Sequence, residues 1–297
     1  MAESIGIVGG GALGTLLASR FLGAQAEVRI VTRTAGSRHD ALKLEHASLQ
    51  TGGDFGLLAH CELVFVCVKS YHTKDVARSL SAAALNHPSI CSLQNGWGHM
   101  ELLEAALPGL PILAAATSLG AYLDDQGLLH ATDRGTTVVA PWRAAQLEAA
   151  GRAAESLRST GLLAEVRPDA RSVLWRKLVL NSAVNPVSAL ARCTNGELLH
   201  VLGLFEIARG AAHEAARVGT KLGVLDTEFD PEESLRAILK ETGANSSSMK
   251  EDLARGRRTE IEEITGAIVR QAGSLGEPVP IQTSLLTLIR AAEHRLQ

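Results

Sequence analysis

In the first half of the chain, apolar residues come in short, nearly unbroken runs. They lie within Ser4–Val8, Glu27–Thr32, Leu63–Val68, Ile90–Leu93 and Ile112–Ala116. Stretches with helical spacing, Ala12–Leu22 and His72–Leu80, stand between some of them. Continuous apolar runs that alternate with helices predict parallel strands buried on both faces. From Leu119 to Ala140 the runs shorten. They are broken by Asp124-Asp125-Gln126-Gly127 and Asp133-Arg134-Gly135, which predicts antiparallel strands closing the sheet.

Beyond Pro168 the strand signal ends. Helical patterns cover Ala170–Leu190, Leu204–Leu222, Pro231–Glu241 and Thr259–Leu275, with a last helix from about Gln282. The change of pattern near residues 166–170 predicts two domains, an α/β domain over 1–167 and an all-helical domain over 168–297.

Composition narrows the function classes. Hydrophobic residues make up 46% and charged residues 21%, the balance of a globular chain with an apolar core. The net charge of −3 argues against a nucleic-acid partner, which calls for a basic excess. No apolar run approaches the length of a membrane span, about 20 residues. The amino terminus passes directly into a folded motif, without the pattern of a signal peptide. Cys61, Cys67, Cys91 and Cys193 form no C-x-x-C pair, and the ten histidines form no H-x-x-x-H pair. The expectation is therefore reduced thiols, no metal and a cytoplasmic location.

The first chemical motif is Gly9-Gly10-Gly11-Ala12-Leu13-Gly14. Alone, a Gly-x-Gly-x-x-Gly spacing is a weak signal. Here it follows an apolar strand, opens an apolar helix and begins the first βαβ unit. Glycines let the backbone turn tightly and approach a pyrophosphate, and the helix start offers free N–H groups. The N-terminal domain is therefore expected to be a Rossmann-type dinucleotide-binding fold. Its second strand ends in Arg33 with no acid beside it. A guanidinium suits a ribose 2′-phosphate, which selects NADP(H) over NAD(H), with Arg38 near enough in sequence to help. Lys69 and Asn95 follow two further strands at their carboxyl ends, where ligands bind in open parallel sheets.

The helical half carries a polar stripe. In Leu174–Ser188 most positions are apolar, yet Lys177, Asn181 and Asn185 recur every four residues and Ser188 joins them. Such groups on a largely buried helix need partners, from the protein or from a ligand. Pro186 withdraws an N–H from this helix, which predicts a bend or local opening. Glu260 lies near the apolar face of Ile261, Ile264 and Ile268. From spacing alone it serves equally as a ligand-binding carboxylate or as a charge favouring the helix amino terminus.

These motifs together resemble the ketopantoate reductase (2-dehydropantoate 2-reductase) family over nearly the whole chain. The resemblance rests on the glycine loop, Val68-Lys69, Gln94-Asn95-Gly96 and Trp175-x-Lys177-x-x-x-Asn181-x-x-x-Asn185-Pro186. Asn195-Gly196-Glu197, Ser247-Ser248-Met249-x-x-Asp252 and Arg258-Thr259-Glu260-Ile261 follow in order. It implies a helical domain like the C-terminal domain of 6-phosphogluconate dehydrogenase. It also implies NADPH-dependent reduction of 2-dehydropantoate to (R)-pantoate, in pantothenate and coenzyme A biosynthesis.

By this resemblance Lys177 is the general acid, and Glu260 holds the substrate's distal hydroxyl. Asn181, Asn185 and Asn195 bind other polar groups, and Ser248 meets the carboxylate. Gly9, Gly10, Gly11, Ala12, Leu13 and Gly14 hold the cofactor with Arg33, Lys69 and Asn95. The chemistry is sensible in itself, because an ammonium can stabilise and protonate the oxygen that gains charge as hydride reaches the carbon. Two other readings remain open: a reductase for another 2-keto acid, or a non-catalytic NADP(H) sensor. The sensor needs neither Lys177 nor Glu260. The apolar helical half is compatible with a homodimer.

Overall fold

A computed structural model describes residues 3–32, 48–124, 126–131 and 135–295. The chain divides into two compact units. One comprises Met1–Gln94 and His99–Val173, the other Asn95–Gly98 and Leu174–Gln297.

The first unit is built on an eight-stranded sheet. Its strands are β1 (Ser4–Val8), β2 (Glu27–Val31), β3 (Leu49–Gly52), β4 (Leu63–Val66), β5 (Ser89–Ser92), β6 (Ile112–Thr117), β9 (Thr136–Pro141) and β10 (Leu163–Val166). Across the sheet they run β3-β2-β1-β4-β5-β6-β9-β10. From β3 to β6 every pairing is parallel. The first six strands thus show the order of a Rossmann-type fold, which reverses direction between β1 and β4 and places ligands outside the strands' carboxyl ends there.

The apolar runs become strands because both faces are covered. Ile5, Ile7, Ile30, Val64, Phe65 and Cys91 have no exposed surface. Helices α1 (Ala12–Gly23), α2 (Thr73–Ala82), α3 (His99–Ala106) and α4 (Leu147–Ser159) belong to this unit. Burial pushes the Cys67 thiol up to about 12 and Cys91 higher still, so both behave as core side chains.

Two features depart from the sequence expectation. Of the segment expected to close the sheet, only β9 joins it, antiparallel to β6 and parallel to β10. The remainder, β7 (Ala121–Leu123) and β8 (Leu129–Ala131), forms a separate hairpin against α1. Strand β3 is a short polar edge strand that pairs only with β2, which is why Leu49-Gln50-Thr51-Gly52 carries no clear apolar signal.

The second unit is helical. It contains most of α5 (Ala170–Ala191), then α6 (Leu204–Lys221), α7 (Pro231–Glu241), α8 (Ser248–Ala254), α9 (Thr265–Leu275) and α10 (Pro280–His294). Its core is α5's Trp175, Leu178, Val179 and Ala183 packed with alanines of α6 and with Ile261, Ile264 and Ile268. Trp175 donates its indole N–H to the Ala215 carbonyl at 3.0 Å. The neighbouring position must be small, because a Cβ on Gly219 would lie 2.2 Å from that nitrogen.

Pro186 does not interrupt α5. Residues 259–264, by contrast, form a bend and a turn rather than the start of a helix. There the Thr259 hydroxyl accepts the Ile261 N–H at 3.1 Å, a local bond that competes with helix formation. The last helix begins at Pro280, suited to a first turn where an N–H has no intrahelical partner. Among the described residues, no helix is long and apolar enough to cross a membrane.

Candidate active site

The glycine loop lies at the β1/β4 reversal. Gly9 has φ +113°, and a Cβ on it would stand 2.9 Å from the Val68 backbone nitrogen. The loop after β1 therefore lies against the loop after β4, which brings Val68-Lys69 beside the glycines. A Cβ on Gly14 would come within 2.0 Å of the Gly9 carbonyl oxygen, so only glycine allows the helix this close to the strand. A Cβ on Gly11, in contrast, would meet open space.

Gly11 is also the N-cap of α1. It offers no side-chain cap, and the first turn holds no acidic residue. The N–H groups at this helix start therefore meet no side-chain cap, an arrangement that suits an anion. A dinucleotide pyrophosphate fits this cradle. Gln94 braces it, donating to Thr73 Oγ1 at 2.8 Å and to the Val68 carbonyl at 3.2 Å. No local pattern singles out Gln94 for this task, because its partners lie 21 and 26 positions away. Arg33 and Arg38 lie outside the described residues.

The segment Asn95–Gly98, which follows β5 in sequence, packs in the helical unit. Gly96 makes this possible. Its φ is +95°, and a Cβ there would lie 2.5 Å from the Glu263 carbonyl oxygen. The next residue, Trp97, donates its backbone N–H to that same oxygen at 2.9 Å and sets its ring edge-on to Trp175.

So anchored, Asn95 donates its side-chain amide to Glu260 Oε2 at 3.2 Å. Its own carbonyl oxygen accepts from Asn181 Nδ2 at 3.5 Å. Glu260 is buried, with 4% of its surface exposed. Lys177, one turn before Asn181 on α5, is half-buried and donates no hydrogen bond among the described residues. Burial lowers its pKa to about 8, while the negative charge of Glu260 limits the fall. Near Glu260, burial raises the Glu263 carboxyl above its ordinary range.

The stripe continues differently towards the far end of α5. Asn185 is buried. The Ser188 hydroxyl donates to Ser247 Oγ at 2.7 Å, and Ser247 caps α8 by accepting the Lys250 N–H at 3.2 Å. Ser248 is exposed at the start of that helix. Asn195 is fixed by Thr242 Oγ1 at 2.9 Å and by the Asn245 carbonyl at 3.0 Å, while its side-chain oxygen is buried without a partner. Lys177, Asn181, Asn95 and Glu260 therefore form one cluster, and Asn195 and Ser248 stand on other segments of the helical unit. The arrangement presents a proton-bearing nitrogen beside a buried carboxylate and amide donors. That set suits a small molecule with a carbonyl and a hydroxyl group.

Comparison with known proteins points the same way. A family model described as ketopantoate reductase PanE/ApbA matches residues 5–144, and its C-terminal counterpart matches 169–293. A protein of Archaeoglobus fulgidus named 2-dehydropantoate 2-reductase is 35% identical over 99% of both chains. A ketopantoate reductase structure from Ralstonia eutropha superimposes with a TM-score of 0.87 at 28% identity, covering 99% of this chain and 100% of that one. A D-mandelate dehydrogenase in complex with NADH and anilino(oxo)acetate shares the fold, with a TM-score of 0.88 at 22% identity over 99% of both chains.

Proposed function

The chain belongs to the ketopantoate reductase family, and from that premise we propose that it reduces 2-dehydropantoate to (R)-pantoate with NADPH. The observation that carries this reading is Lys177: an ammonium with its pKa lowered to about 8, placed by α5 beside Asn181 and the buried Glu260.

When bound, the dinucleotide supplies the hydride. Gly9 to Gly14 would hold its pyrophosphate at the N–H groups that open α1, and Arg33 with Lys69 would take the 2′-phosphate. Glu260, oriented by Asn95, accepts the substrate's distal hydroxyl. Asn181, Asn185 and Asn195 donate to its other oxygens, and Ser248 meets the carboxylate. As hydride reaches the ketone carbon, negative charge builds on the oxygen. Lys177 stabilises that charge and transfers a proton from Nζ to the oxygen, leaving a neutral amine and an alcohol. The amine then regains a proton from water.

A sensor of NADP(H) would need the glycine loop but not the Lys177–Glu260 pair. The free thiols, three of them buried, suit a reducing cytoplasm, and exposed Leu202, Val201 and Ile207 of the helical unit supply apolar surface for a homodimer. The test is Lys177→Ala. Turnover is expected to fall by about 10²–10⁴-fold, the range of general acid catalysis, with NADPH affinity unchanged. Turnover that survives the substitution contradicts the assignment.

A further inference from the structure

Glu260 is carried by a turn rather than by a helix or strand, so its position depends on what holds residues 259–264 in place. Two side chains of α10 do so. The carboxylate of Glu293 accepts the backbone N–H of Thr259 at 2.6 Å, immediately before Glu260. Thr259 is 1% exposed, so water does not readily replace that acceptor. Three residues earlier on the helix, Arg290 grips Glu262 with two bonds of 2.6 and 2.9 Å, two positions after Glu260. This pairing pulls the Glu262 carboxyl below its ordinary range. Residues three apart share a helix face, so one turn of α10 holds the chain on both sides of Glu260.

We propose that Glu293 is a positioning residue for the substrate: it fixes the turn that presents Glu260, with Arg290 securing the other side. The inference rests on the assignment of Glu260 as the substrate's hydroxyl partner. Glu293 acts through the backbone of Thr259, and its bond is charge-assisted and short. A carboxylate displaced by a fraction of an ångström binds the same hydroxyl poorly, and a misplacement of about 1 Å can cost a hundredfold. A residue that only stabilised the fold would lower the melting temperature without singling out one substrate.

The test uses the full-length enzyme with Glu293→Ala, Glu293→Gln, Arg290→Lys, Glu260→Gln and the double variant Glu260→Gln/Glu293→Ala. Glu293→Ala is expected to raise KM for 2-dehydropantoate by tenfold or more, on the order of the loss that misplacement causes, with little change in kcat or in NADPH Kd. Glu293→Gln keeps a carbonyl acceptor for the Thr259 N–H and recovers most of the loss. Arg290→Lys keeps the charge but loses the two-pronged grip, and shifts the same KM in the same direction. In the Glu260→Gln background the Glu293→Ala effect disappears, as expected for residues acting in series. Wild-type KM in both Glu293→Ala and Arg290→Lys, alongside a raised KM in Glu260→Gln, overturns the inference. So does a Glu293→Ala effect that persists in full beside Glu260→Gln. An unchanged KM in Glu260→Gln overturns the assignment of Glu260, and the positioning role with it.

Discussion

Lys177 sits on a helix whose other positions are mostly apolar, and that setting gives it a working pKa. Removing water from around the ammonium disfavours the charged form, while Glu260 favours it, and the balance falls at about 8. A general acid must carry its proton when the substrate binds. For ketone reduction, kcat/KM is therefore expected to be highest below pH 8 and to decline above it as Lys177 deprotonates. A pH–rate profile of the wild-type enzyme checks this, since kcat/KM reports groups of the free enzyme. A profile flat from pH 7 to 10 would contradict it. The lysine was legible in the sequence because its four-residue spacing with Asn181 breaks an apolar face. Its partner Glu260 was only half legible, because spacing left it between ligand binding and a helix-end charge. The bond from Asn95 spans 165 positions, and no local pattern specifies a contact between segments so far apart.

At the level of elements, strands buried on both faces and long helices were clear, because each repeats an apolar period many times. The misreadings fell where a local bond or an edge decides the outcome. The helix expected over Thr259–Leu275 begins only at Thr265, because Thr259 satisfies the Ile261 N–H in a turn. That same turn carries Glu260. The Asn95–Gly98 segment is another case: its sequence neighbours are a strand and a helix of the α/β unit, yet it packs with the helical unit. Gly96 permits this through its positive φ and its close approach to the Glu263 carbonyl. Gly96→Ala is expected to cost about 1–3 kcal/mol from backbone strain alone. Asn95 would shift with it, so kcat/KM for 2-dehydropantoate should fall by an order of magnitude or more while the cofactor still binds. Thermal unfolding and steady-state kinetics on the one variant test both parts. An alanine enzyme with native kinetics would show that this clasp does not position Asn95.

For the molecule as a whole, two independent signals converge on one activity. Strand order and glycine geometry identify a dinucleotide fold, and that is as far as the first unit goes. Lys177 and Glu260, the proposed proton donor and hydroxyl partner, belong to the helical unit, where fold alone would not specify chemistry. The same architecture is found in a D-mandelate dehydrogenase at 22% identity, so the substrate is read from the family rather than from the sheet. The expectation of NADP(H) came from Arg33 as a residue type, and Arg33 lies outside the described residues. The choice of 2-keto acid was not legible, because a lysine acid suits any of them; the role proposed for Glu260 is what calls for a substrate with a distal hydroxyl.

The most direct measurement is steady-state reduction of 2-dehydropantoate by the purified protein, followed by loss of the nicotinamide absorbance, beside a 2-keto acid of similar size that lacks the hydroxyl. Rapid NADPH oxidation with 2-dehydropantoate, yielding (R)-pantoate, with much lower kcat/KM for the analogue and for NADH, is the expected result. No oxidation of NADPH with 2-dehydropantoate, or equal kcat/KM for the analogue without the hydroxyl, would contradict it.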